Sequence, residues 1–390
     1  MNTVTNLVEA VPCSRLKTCA RCVMDTTVPE IHFDGNGECQ YCKMHDFMDG
    51  IYPRDPVKLE NKASQLVDRI RQVGKGKRYD CIVGVSGGRD STWGLYRAVK
   101  AGLRPLAVHF DNGWNSPIAV SNIANATNHL GIDLETVVAD WEEFRDLQVS
   151  FLRASVPDVE IPTDVAIHSV LHRIAAREDV QYVFFCHSFR TEGIVPRGWS
   201  FLDGKYIEAV QKRFGTRPLK DFKNFKIWDF FRFSIVKGIQ SVPFVNYFDY
   251  NQKKVSELLT NELGWKYYGG HHHESTYTFF IQSYLLPRKF NIDKRKAEYS
   301  ALVRSGQMDR QTALQQTTWH PYEYDEKLLA YVLSKLEITK TEWNLIWNSP
   351  IRSYQDFPSY YPLMKRCRLP LKLATSMGWL PELLYLKYLE

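Results

Sequence analysis

The sequence predicts an α/β fold: a doubly wound parallel sheet, preceded by a small cysteine-ligated module and followed by a mostly helical region. Three observations predict it. Between Tyr79 and His187, short β-branched and aromatic runs alternate with helix-compatible segments, the pattern of a parallel sheet covered by helices on both faces. The first apolar run, Cys81-Ile82-Val83-Gly84-Val85, ends in Ser86-Gly87-Gly88 directly before a helix-compatible stretch. Ahead of both, two Cys-x2-Cys knuckles fall within residues 19–42, at a separation suited to a metal-bound module. The expected units are residues 1–50, 51–205 and 206–390, the last contributing to the substrate site.

The bulk properties set bounds. A chain of 390 residues can hold two or three domains with real cores. Its 44% hydrophobic and 24% charged residues are ordinary for a soluble globular protein. A net charge of +6 suits anionic ligands such as nucleotides and is too weak to argue for nucleic acid. Met1 to Ala20 has no apolar core flanked by basic residues and a cleavage site, so secretion is not expected. The greasiest stretch, Phe222 to Tyr250, is broken by Lys223, Lys226, Arg232, Lys237 and Pro243, leaving no span of about 20 apolar residues. A cytoplasmic location is the expectation, and the eight cysteines then need a reading other than disulfides.

Cys19, Cys22, Cys39 and Cys42 form the two knuckles, with 16 residues between them. That is the spacing of a tetrahedral four-cysteine Zn²⁺ site, and Asp34-Gly35-Asn36-Gly37 supplies a hairpin turn in the gap. Metal binding would add the folding energy that so short a module lacks. An iron–sulfur cluster and free thiols are the alternatives, and Cys13 lies outside the pattern. A helix follows over 56–72, with Leu59, Leu66, Val67 and Ile70 on one face. Gly74 to Arg78 then reads as a solvated linker, because no Gly-x4-Gly-Lys-Ser/Thr occurs there.

Strands are expected at 79–85, 104–110, 133–139 and 180–187, and helices at 91–101, 117–130, 141–153 and 164–178. Ligands of such sheets bind beyond the carboxyl ends of the strands. Those ends carry Ser86-Gly87-Gly88, His109 to Trp114 including Asp111, and Cys186-His187-Ser188 followed by Arg190 to Gly193. No Gly-x-Gly-x-x-Gly fingerprint marks the first strand, which disfavours an ordinary dinucleotide site. Beyond residue 205, aromatic-rich helical segments are expected at 251–263, 276–286, 293–304, 309–316, 323–336, 340–347 and 381–389. Trp228, Trp265, Trp319, Trp343 and Trp347 read there as core rather than as a stacking platform.

The Ser86–Thr92 turn defines the chemistry. Two glycines allow a sharp turn and close approach to a ligand, and the helix start offers N–H groups to a phosphate. Asp90 would repel phosphate alone and makes sense with Mg²⁺ between the two. Ser-Gly-Gly-Arg-Asp-Ser at a strand–turn–helix, with no Walker lysine, resembles the PP-loop of the ATP pyrophosphatases. Further segments narrow the resemblance: Cys19 to Pro29, Phe33-Asp34, His109 to Ser116, Gly264 to Gly270, His272 to Ser275, Phe290 to Arg295 and Arg304 to Met308. Together they look like the N-acetyl sugar amidotransferases of bacterial O-antigen and nonulosonic acid biosynthesis. The chain departs from that pattern at His271 and in the front half of Cys186 to Gly193.

The resemblance implies an ATP-dependent enzyme that adenylates the acetamido oxygen of a nucleotide-linked N-acetyl sugar. Ammonia then displaces AMP to leave an acetamidino group, with pyrophosphate released. Position 2 is Asn2 and no Gly-x-Cys-x-Gly elbow occurs, so by the resemblance ammonia is expected from a separate class I glutaminase, of the kind that resembles the glutaminase subunit of imidazole glycerol phosphate synthase. In this scheme Ser86, Gly87, Gly88, Arg89, Asp90, Ser91 and Thr92 hold ATP and Asp111 borders the adenylate, a strand-end cap being its plain alternative. Asp90 and Glu192 hold Mg²⁺, or Glu192 is the base that takes a proton from ammonia. Lys294 and Arg295 neutralise pyrophosphate, or are surface cations. His271-His272-His273-Glu274 reads as a substrate-contacting loop or packing, and Cys186 as a core thiol. The rival readings are a tRNA thiolation enzyme and a non-catalytic scaffold for the glutaminase.

Overall fold

The computed structural model describes residues 16–270, 273–319, 326–376 and 382–389. Cys13, His271, His272 and the side chain of Trp319 lie outside the described residues. Five parallel strands form the sheet: β1 (Cys81–Gly84), β2 (Pro105–Asp111), β3 (Leu134–Val138), β4 (Tyr182–Phe184) and β5 (Gln240–Val242), in the order β3-β2-β1-β4-β5. The main helices before residue 220 are α1 (Gln40–Ile51), α2 (Pro56–Val73), α3 (Arg89–Lys100), α4 (Pro117–Leu130), α5 (Trp141–Ala154), α6 (Ile161–Arg177) and α7 (Gly204–Phe214).

The inner strands β1, β2 and β4 are near-continuous apolar runs buried on both faces, as a covered parallel sheet requires, while the edge strand β3 alternates between exposed and half-buried residues. Successive residues point to opposite sides. Cys81, Val83, Ala107, Phe184 and Val242 pack with α2, α3 and the helix Gln252–Leu263, while Ile82, Leu106, Val108 and Val183 pack with α6. Side-chain oxygens of Asp55, Ser116 and Asp140 accept N–H groups at the starts of α2, α4 and α5, fixing where each helix begins. Phe184 stacks on Phe244 at 4.0 Å, both fully buried, locking β4 to the turn after β5. Truncating either ring to Ala would cost about 3–5 kcal/mol.

Two features differ from the sequence expectation. β5 lies in the region expected to be helical. Its three residues carry no period-two signal because Gln240 and Ser241 are exposed and only Val242 is buried. Trp228, expected in the core, is 75% exposed. Composition places an aromatic in the interior on average, but only the tertiary surroundings decide a given one.

A third core joins the ends of the chain. The knuckle cysteines and Met24 pack into one cluster with Trp114, α5, α7 and the C-terminal helices. Asp25 pairs with Lys296 at 2.6 Å, and the Ser300 hydroxyl accepts the Val23 N–H. The small module is thereby seated on the helix Arg295–Arg304.

Candidate active site

The turn after β1 is shaped by sterics. Gly87 has φ +78°, and a Cβ there would sit 2.3 Å from the Ala119 carbonyl oxygen, so no other residue fits without backbone movement. Trp265 Nε1 and Asn122 Nδ2 each donate to the Gly87 carbonyl at 3.1 Å, pinning the turn from behind. Ser91 Oγ accepts the Ser86 N–H at 3.1 Å and lies 3.2 Å from Ser86 Oγ. Thr92 is buried and donates to the Gly88 carbonyl at 2.7 Å, so it braces the turn.

Asp90 opens α3 and meets three groups. Arg89 Nε donates to it at 3.1 Å, the Tyr250 hydroxyl makes a close hydrogen bond, and Glu192 approaches it from the loop after β4. Burial, first of all, and then Asp90 push the Glu192 carboxyl above its ordinary range, while His187, whose Nδ1 lies 2.8 Å from Glu192 Oε2, works against that rise. Two meeting carboxylates beside a phosphate turn form a donor set that fits a hard dication, which would relieve the crowded charge. His187, in the stretch where the sequence departs from the family pattern, stands directly on Glu192.

Asp111 ends β2 and accepts the Gly113 N–H at 2.8 Å and Asn115 Nδ2 at 2.9 Å. It caps the strand end and fixes the loop to Trp114. Lys294 pairs with Glu160 at 3.3 Å, and Arg295 grips Asp293 with its closest contact at 2.7 Å. Both lie at the start of a helix whose Ala297 carbonyl would stand 2.5 Å from a Cβ on Gly193. The structure therefore seats these cations beside the Glu192 loop, each already engaged by a carboxylate. Cys186 is buried behind α3, its Sγ 2.2 Å from where a Cβ on Gly94 would lie, and burial pushes its thiol up. It is a packed core thiol.

Residues distant in sequence complete the site. Glu274, 7% exposed, accepts from Ser86 Oγ at 3.3 Å. Tyr268 places its hydroxyl 3.3 Å from the Arg89 N–H. Glu274 and Tyr268 belong to segments quoted above for the resemblance, but nothing in their local pattern reveals their place. Nor does anything reveal Tyr250, 160 residues from Asp90. A separate cavity of about 410 Å³ opens beside Phe110, Val137, Phe144 and Phe222, next to the ends of β2 and β3 rather than over the phosphate turn.

The four knuckle cysteines form a second centre. Their sulfurs lie within 4.8 Å of one another, with Cys19–Cys42, Cys22–Cys39 and Cys39–Cys42 at 3.7 Å. A tetrahedron with metal–sulfur bonds of about 2.3 Å has edges of about 3.8 Å. The cage thus fits one tetrahedral dication and is tight for a cluster that places each sulfur on a separate iron. Arg304, 5% exposed, donates Nη2 to Cys22 Sγ at 3.1 Å and Nε to Cys42 Sγ at 3.3 Å. Arg310 donates to the carbonyl oxygens of Cys19 and Cys22.

Residues 274–368 match the family model for the LPS biosynthesis protein WbpG-like, C-terminal domain. The matched segment begins at Glu274. An uncharacterised protein of Methanocaldococcus jannaschii, MJ1599, is 28% identical over 127 residues, covering 32% of this chain and 44% of its own. The chain therefore spans less than half the length of that relative. Among solved structures, NMN synthetase from Francisella tularensis aligns with 74% of this chain and 96% of its own, at 13% identity and a TM-score of 0.30. The U34-tRNA thiolase NcsA from Methanococcus maripaludis, with its 4Fe–4S cluster, aligns with 83% and 99%, at 12% identity and a TM-score of 0.30. The NH3-dependent NAD synthetase of Campylobacter jejuni aligns with 53% and 93%, at 13% identity and a TM-score of 0.27.

Proposed function

We propose that the chain is an ATP-dependent, AMP-forming amidotransferase acting on a nucleotide-linked N-acetyl sugar in lipopolysaccharide biosynthesis. The observation that carries the reading is the meeting of the Ser86–Ser91 turn with the Asp90–Glu192 pair and with Glu274, the first residue of the WbpG-like segment. A phosphate turn and a domain of lipopolysaccharide synthesis share one site.

In this scheme the turn N–H groups, Ser86 and Ser91 bind the β and γ phosphates. Asp90 and Glu192 would hold Mg²⁺, which would supply charge neutralisation to the departing pyrophosphate. The amide oxygen forms a bond to the α phosphorus as the bond to pyrophosphate breaks. An amide oxygen is a poor leaving group, and adenylation makes it a good one. Ammonia then attacks the imidate carbon, gives up a proton, and expels AMP with the former amide oxygen. Glu192 bridged to His187 offers that proton a route to solvent, since His187 is 71% exposed. Lys294 and Arg295 stand by to exchange their carboxylate partners for pyrophosphate. Ammonia would come from a separate class I glutaminase, and a four-thiolate Zn²⁺ would hold the N-terminal module together.

A nucleotide-linked N-acetyl sugar labelled with ¹⁸O in the acetamido group tests the reading. With ATP, Mg²⁺ and ammonium, the label should appear in AMP alongside unlabelled pyrophosphate, and glutamine should not replace ammonium. Release of ADP and phosphate, or AMP free of label, would remove adenylation from the mechanism.

A further inference from the structure

Residues 212–237 contain eight Lys/Arg and two Asp, a local excess equal to the +6 of the entire chain. Within them, Ile227–Phe230 continues through the π-helical turn Phe231–Val236 as one helix. Phe233 anchors its inner side on the α6 face of the sheet, beside Phe225 and His172. The outer side presents Trp228, Phe231, Ile235 and Val236, exposed by 75%, 50%, 52% and 66%. Lys223, Arg232 and Lys237 are exposed around them. So contiguous an apolar surface with a cationic rim marks an interaction site.

We infer that this face docks on an anionic phospholipid membrane, with the aromatic and aliphatic side chains in the headgroup boundary and the cations on lipid phosphates. Exposed Trp and Phe beside Lys and Arg is the composition of helices that lie in the membrane interface. A second copy of the chain would bring two such positive surfaces together and be repelled. A nucleic acid would use the cations and rings but leave Ile235 and Val236 in water, because bases stack on aromatic faces. A bilayer uses every exposed group in the set. The helix would lie on the surface, since no helix among the described residues is long and apolar enough to cross a membrane. Trp265 and Tyr268, which back the phosphate turn, belong to the core on the other side of the sheet from this helix.

The test uses the full chain and extruded vesicles, and its readout needs no turnover, so it stands or falls apart from the proposed reaction. Co-sedimentation with phosphatidylglycerol/phosphatidylcholine vesicles should be strong at low salt and fall as salt rises, with little binding to phosphatidylcholine alone. Trp228→Ala/Phe231→Ala should weaken partitioning at least about ten-fold, and Lys223→Glu/Arg232→Glu/Lys237→Glu by at least as much. Because these side chains face solvent, thermal unfolding of both variants should match that of the parent. The emission difference between parent and Trp228→Phe should shift to the blue on adding anionic vesicles. Equal binding to neutral vesicles, no binding at low salt, or no emission shift would overturn the inference. Retention of RNA abolished by the same variants, in the absence of vesicle binding, would assign the face to nucleic acid. A concentration-dependent dimer abolished by them would assign it to a second copy.

Discussion

Replacing Arg304 by Met would test how the N-terminal module and the helix leading to the Glu192 loop are joined. Met keeps most of the stem volume and removes two N–H donors from the sulfurs of Cys22 and Cys42. Burial, the largest single effect on Arg304, favours its neutral form, yet the neighbouring Cys22, Cys42 and Cys39 sulfurs outweigh it and hold the guanidinium charged. A dication held by four thiolates would leave the cage with net negative charge, so each lost contact would be a charge-assisted hydrogen bond of about 1.5–3 kcal/mol. Two of them give about 3–6 kcal/mol, which spans the roughly 3–5 kcal/mol expected when one partner of a buried charge pair is removed.

Urea unfolding of Arg304→Met should show that loss, with metal analysis showing faster release to a chelator. The parent should return about one zinc per chain, and chelation should lower its unfolding midpoint. Turnover should fall along with metal content, because the helix that ends at Arg304 begins beside the Glu192 loop through Gly193 and Ala297. Unchanged stability and metal retention in Arg304→Met would refute the hydrogen-bond argument. An unmoved midpoint after complete metal removal would refute the structural role of the site.

Other outcomes follow from the same geometry. Asp90→Asn and Glu192→Gln should each lower turnover at least about a hundred-fold while leaving a folded chain, as circular dichroism would check. Glu192 also predicts a pH effect, because its carboxyl is raised in the folded state by burial and by Asp90. The stability it contributes is present below the ordinary carboxylate range and lost as pH rises through the raised value. Glu192→Gln should flatten that decline in thermal unfolding of the metal-free chain. Asp158, buried with the Tyr206 hydroxyl at 2.9 Å, is pushed up to about 7 by burial. Ionising it should cost on the order of 4 kcal/mol as pH rises from about 4 through 7, and Asp158→Asn should remove that part of the pH dependence. Gly87→Ala forces a positive φ and a clash with the Ala119 carbonyl. It should abolish ATP binding by calorimetry and lower the unfolding midpoint.

What could be read in the sequence is what is local. Ser86 to Ser91 announces itself because strand, glycine turn and helix start are adjacent, and the knuckles because each ligand pair sits on a three-residue spacing. The meeting of Asp90 and Glu192 was also legible: both follow the carboxyl ends of β1 and β4, and parallel strands gather those ends on one side. β5 was not, because three residues with one buried side chain carry no periodicity. Tyr250, Tyr268 and Glu274 reach the turn across 160 to 188 residues of sequence, a distance over which no local pattern carries information. Trp228 shows the reverse failure, since its burial was inferred from residue type and its exposure is decided by neighbours.

The path of the chain around Glu274 explains why the phosphate turn cannot be understood as a property of the sheet alone. Ser116 N–H donates to the Glu274 carbonyl at 2.8 Å, Thr276 N–H to the Trp114 carbonyl at 2.9 Å, and Asn115 bridges Ser275. The loop leaving β2, where Asp111 sits, is thus stitched as a short antiparallel pair to the start of the WbpG-like segment. The side chain of Glu274 meanwhile bonds Ser86 in the turn leaving β1. A ligand that draws Ser86 toward a phosphate must therefore break or share the Glu274 contact. Any shift of Glu274 is carried through its own backbone to the loop after β2. The same carboxylate that disfavours bare phosphate at Ser86 links the phosphate turn to the start of the WbpG-like segment. On the proposed reaction, the two substrates would be coupled through one short stretch of chain, Trp114 to Ser116 against Glu274 to Thr276, and not through the sheet.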